Sequence, residues 1–74
     1  MNYLVVLNNG KDPVDFCKNF FRDLANEGLP ITHMSTGQIG FEYDPGRQLT
    51  ENEREIIEGF SYIARVNLLL PEKS

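Results

Sequence analysis

The sequence predicts an α+β sandwich, on three observations. Four short stretches read as strands, one of them an unbroken apolar run and two alternating with period two, and apolar residues recur at helical spacing in two other stretches. These segments run strand, helix, strand, strand, helix, strand. The breaks between them carry strong turn chemistry: Asn8-Asn9-Gly10, Asp12-Pro13, Gly28-Leu29-Pro30 and Asp44-Pro45-Gly46.

Tyr3 to Leu7 is rich in β-branched and aromatic residues and reads as the first strand. It is apolar on both faces, as suits a central position. Asp12 caps the first helix, Pro13 suits its first turn, and Asp15 complements the positive end of its dipole. Val14, Cys17, Phe20, Phe21, Leu24 and Ala25 are expected to form its buried stripe. Gly28 is placed to end that helix in the left-handed conformation, and Pro30 prevents its resumption.

Ile31 to Thr36 and Gln38 to Asp44 read as two strands joined by a tight turn at Thr36-Gly37. In the second of these, Ile39, Phe41 and Tyr43 are assigned to the core, opposite Gln38, Gly40 and Glu42. Thr50-Glu51-Asn52-Glu53 is a capping box, and Ile56, Ile57 and Phe60 supply the buried edge of the short helix that follows. Tyr62 to Leu68 is the last strand, with Tyr62, Ala64, Val66 and Leu68 alternating against Ile63, Arg65 and Asn67. Right-handed crossovers applied to this order give a ferredoxin-like βαββαβ sandwich. It has a four-stranded antiparallel sheet of order 4-1-3-2 with two helices on one face. Residues 1–74 form this one domain, with a short C-terminal tail over 68–74.

A chain of 74 residues has a marginal core, and an enzyme pocket would compete with it for apolar side chains. The formal net charge of −4 and the scattered Lys and Arg argue against nucleic acid. No apolar run approaches bilayer length, and the start lacks a basic leader, so a cytoplasmic, membrane-free protein is expected. Cys17 has no second cysteine with which to form a disulfide or a metal site.

Catalysis would pair His33 with Ser35 or Cys17. Ser35 lies roughly 6–7 Å further along the same strand face, and Cys17 falls in an apolar helix stripe. Asp12 with Asp15, and Glu51 with Glu53, sit at helix starts, where capping accounts for them without a metal. Gly40-Phe41-Glu42-Tyr43 has the look of an RNA-stacking strip. If its aromatic residues faced outward, however, Gln38, Gly40 and Glu42 would have to form the core. No catalytic group, cofactor or metal is therefore expected. Leu68-Leu69-Leu70 followed by Pro71-Glu72 leaves two readings open. It is either a strand end with one stray leucine, or an extended segment that docks into a partner's groove.

Tyr3-Leu4-Val5-Val6-Leu7, Ile31-Thr32-His33, Gly40-Phe41, Leu49-Thr50-Glu51-Asn52-Glu53 and Ile63-Ala64-Arg65-Val66-Asn67 follow one another in an order that resembles the subtilisin-propeptide-like protease inhibitors. The resemblance spans nearly the whole chain. It implies a non-enzymatic inhibitor whose uncovered sheet face lies against a subtilisin-like serine protease. Glu51 and Glu53 would complement helix ends of the enzyme. Leu68, Leu69, Leu70, Pro71 and Glu72 would enter its substrate groove as an extended strand. The alternative keeps the fold and changes the partner. It is a compact acidic interaction module, such as a phage anti-defence inhibitor, or a homodimer formed through the open sheet.

Overall fold

The computed structural model describes residues 2–69. Its elements are β1 (Asn2–Leu7), α1 (Pro13–Asn26), β2 (His33–Thr36), β3 (Gly40–Asp44), α2 (Glu51–Glu58) and β4 (Ile63–Leu69). The sheet order is β2-β3-β1-β4, which is the expected order read from the other edge, and all three pairings are antiparallel. The fold is the ferredoxin-like α+β sandwich.

Local signals place the helix ends. The Asp12 side chain accepts from the Val14 N–H, with Pro13 in the first turn. Thr50 and Glu53 form the reciprocal capping box, each side chain accepting from the other residue's backbone N–H. Gly28, at φ +70°, follows the Glu27 cap and its N–H donates to the Ala25 carbonyl.

The core lies between the helices and one sheet face. Tyr3, Val5 and Leu7 of β1, Phe41 and Tyr43 of β3, and Ile63 and Val66 of β4 meet Phe20, Leu24 and Ile57 from the helices. The Phe20 ring stacks on Phe41 at 4.7 Å and meets Tyr43 edge-on at 5.8 Å. Buried hydroxyls find partners: Tyr3 accepts from the Leu49 N–H at 2.8 Å, and Tyr43 donates to the Pro30 carbonyl. Burial pushes the Tyr43 hydroxyl up to about 12, helped by the nearby Glu53 charge.

Four expectations change. The buried stripe of α1 is Pro13, Phe20 and Leu24 with half-buried Phe16 and Cys17, while Val14 (70% exposed), Phe21 (54%) and Ala25 face solvent. Its contacts set the buried face: Phe16 packs against Tyr62 at 5.0 Å, which turns the opposite flank outward. The turn of the β2–β3 hairpin lies at Gln38-Ile39 rather than Thr36-Gly37, because the ladder continues to Gly37, whose N–H donates to the Gly40 carbonyl. Ile39 therefore leaves the core face and is 56% exposed, while its carbonyl accepts from the Leu7 N–H. In β4 the register slips where Val6 pairs Arg65 and Leu7 pairs Ile63. Ala64 is thereby the extra residue of a bulge, which turns it outward and brings Ile63 into the core.

Candidate partner-binding surface

The sheet face without helices is built by the residues that alternate with the core set. These include Leu4 and Val6 from β1, Glu42 from β3, His33 and Ser35 from β2, and Arg65, Asn67 and Leu69 from β4. Leu4 pairs with Glu42 on one side and Asn67 on the other. The face thus carries an apolar seam along β1, as expected of a first strand apolar on both faces, with mostly polar flanks. Glu42, Ser35, Arg65 and Asn67 are exposed, Leu4 is half-buried, and Val6 is only 6% exposed.

At one end of this seam an open groove of about 320 Å³ is lined by Leu4, Ser35, Gln38, Ile39, Gly40 and Glu42, among others. Gly40 makes its floor. A Cβ at that position would stand 1.9 Å from the Val5 carbonyl oxygen, so β3 and β1 approach as only glycine permits. Ile39 supplies an exposed apolar wall. This groove was not among the sites expected from sequence. The signal that could have found it is the Gly37-Gln38-Ile39-Gly40 run, whose flanking glycines mark a hairpin tip with an isoleucine at its turn.

The expected site residues are not brought together. Leu68 and Leu69 lie within β4, paired with Tyr3 and Asn2, and both are half-buried. Leu68 packs against the core. A tail beginning at residue 68 is therefore corrected: two of its leucines belong to the sheet. Leu70, Pro71 and Glu72 lie outside the described residues. Glu51 is exposed at the start of α2. Glu53 is already engaged within the chain. Its carboxylate accepts from both Arg47 terminal nitrogens at 2.8 Å and from the Thr50 N–H at 2.9 Å. The Arg47 hydrogen bonds first, then the Thr50 N–H, hold Glu53 down to about 2. It is thus a poor candidate for contact with a partner.

The residues weighed for catalysis stay apart. His33 and Ser35 are exposed on β2, and half-buried Cys17 packs against the core from α1. No group of three or more His, Cys, Asp or Glu that could hold a metal exists among the described residues. Beside α2, Glu51, Arg54, Glu55 and Glu58 line a smaller groove of about 210 Å³. Two of these side chains are committed to the sheet: Arg54 donates to the Val66 carbonyl at 2.9 Å, and Glu58 accepts from the Val66 N–H at 3.1 Å. No helix among the described residues is long and apolar enough to cross a membrane.

Compared with protein-family descriptions, curated proteins and solved structures, the chain matches none of them.

Proposed function

We propose that this chain is a non-catalytic protein-binding module, and that its partner is a subtilisin-like serine protease. In this reading the uncovered sheet face docks on the enzyme, and the segment continuing from β4 enters the substrate groove. The observation that carries the proposal is the uncovered face itself. It has a half-buried Leu4, an exposed Ile39 and a groove, bordered by polar side chains. An apolar centre inside a polar rim is the usual anatomy of a protein interface. Inhibition by an extended segment needs no catalytic group, because backbone pairing and side-chain pockets supply the affinity.

The test is hydrolysis by a subtilisin-type protease with the purified chain added. The shortened form should end at Leu69, since Leu68 and Leu69 pair with β1 and an earlier cut would damage the sheet. Inhibition by the full chain, lost on shortening and weakened by Leu4→Asp, supports the proposal. A full-length chain that leaves hydrolysis unchanged overturns it.

A second reading, a compact acidic module directed at a basic protein surface, draws on exposed Glu51 and Glu55 beside the α2 groove. Glu55→Gln would weaken such a complex and leave protease inhibition untouched.

A further inference from the structure

The two edges of the sheet are treated differently. At the β4 edge, the Val66 N–H and carbonyl are both taken by α2 side chains, Glu58 and Arg54. The β2 edge has no such cover among the described residues. The Gly37 N–H donates to the Gly40 carbonyl, so the alternation of the antiparallel ladder turns the backbone groups of Met34 and Thr36 outward. The strand, His33-Met34-Ser35-Thr36, also lacks the Lys, Pro or carboxylate that commonly blunts an exposed edge.

The helix above that edge carries the matching feature. α1 lies over β2 and β3, with Phe20 on Phe41 and Tyr43. Its inner flank, Phe16 and Asp23, faces Tyr62, by ring contact and by a 2.6 Å hydrogen bond. At about 100° per residue, Val14, Lys18, Phe21 and Ala25 fall on the opposite flank, above the bare edge. All four are exposed.

We infer that β2 and this flank of α1 together form a self-complementary surface for a second copy of the chain, related by a two-fold axis. Pairing Met34 with Thr36 of the second copy, in both directions, makes about four backbone hydrogen bonds and one continuous eight-stranded sheet. Strands are about 4.8 Å apart, so a helix seated over β2 and β3 comes to lie about 10 Å from its copy. That is the ordinary packing distance of two helices. The copies of α1 run antiparallel, and the stripe is symmetric about its own midpoint. Placing Val14 opposite Ala25 puts Lys18 opposite Phe21, a cation against an aromatic ring. The uncovered sheet face stays free, so this dimer is independent of the protease proposal.

Sedimentation equilibrium across a concentration series up to about 1 mM tests the inference, since an interface of this size belongs to the weak class. The expected result is a concentration-dependent dimer that Val14→Lys with Phe21→Lys weakens at least tenfold, roughly, because a cation then stands opposite Lys18 of the second copy in place of the ring. Both positions are exposed, so the variant keeps its fold, which circular dichroism verifies. Amide hydrogen exchange at Met34 and Thr36 should slow as the dimer fills. A chain that stays monomeric throughout overturns the inference. So does a dimer indifferent to the double substitution, or one whose Met34 and Thr36 amides exchange at a constant rate.

Discussion

Gly40→Ala is the substitution this fold should tolerate least for its size. The added methyl would stand 1.9 Å from the Val5 carbonyl oxygen, 2.8 Å from its carbon and 2.9 Å from the Val6 Cα. It falls about 1.5 Å short of ordinary contact with the oxygen, and every atom it meets is backbone. β1 cannot retreat, because it is the central strand and pairs with β3 on one side and β4 on the other. Relief requires opening the Val6–Gly40 end of the β1–β3 ladder. Overpacking of this kind costs about 1–3 kcal/mol, and losing one or two ladder hydrogen bonds adds about 1 kcal/mol each. The sum, about 2–5 kcal/mol, is a large share of the roughly 4–11 kcal/mol that holds a 74-residue domain together. Thermal unfolding followed by circular dichroism should show a midpoint lowered by at least about 10 °C. Gly37→Ala is the control: its nearest neighbour, the Gly40 carbonyl oxygen, lies at 3.3 Å in an exposed turn, and the midpoint should move by only a few degrees, roughly. A Gly40→Ala midpoint close to that of the control would refute the reasoning.

Two further outcomes follow from titrating groups. Glu53 is held at about 2 in the folded chain, below its unfolded value near 4.3, so its contribution is complete above that value and lost as pH falls towards 2. Melting temperatures measured over this window should drop, and Arg47→Ala, which removes the main cause, should flatten the dependence. Equal acid slopes in both proteins would count against the Arg47–Glu53 pair. Tyr43 is pushed up to about 12 by burial, and Tyr62 is raised by burial and by its hydrogen bond to Asp23. A raised tyrosine stabilises the fold below its unfolded value near 10, and this stability is lost as pH climbs from 10 towards 12. Phenolate absorbance from these two residues should therefore appear together with loss of the circular dichroism signal. Ionisation near pH 10 in an intact fold would contradict their burial.

Much of the architecture is written in short-range signals. Asp12 with Pro13, the Thr50–Glu53 box and Gly28 act within a few residues, so they can be read without knowing what lies nearby. The unbroken apolar run of Tyr3 to Leu7 likewise marks β1 as central, which it is. The candidate site was less legible. Leu68 was expected both to end the last strand and to open the tail, and the strand in fact runs on through Leu69, because the reach of β4 depends on how far β1 extends and Asn2 carries the pairing to its end. Ile39 follows the same apolar alternation as Phe41 and Tyr43, yet the hairpin turns at that position and points its side chain into solvent.

The sequence alone determined the order of the six elements, their caps and the arrangement of the sheet, because these depend on local chemistry and on the few ways such an order can close. Only the tertiary structure decided which half of the apolar residues of α1 is buried, because that depends on which strands lie beneath the helix. It also committed Glu53 to Arg47, and Arg54 and Glu58 to the β4 edge, with no such cover over β2 among the described residues. Each of those outcomes joins residues whose meeting is arranged by the packed sheet and helices, with no fixed spacing along the chain to announce it.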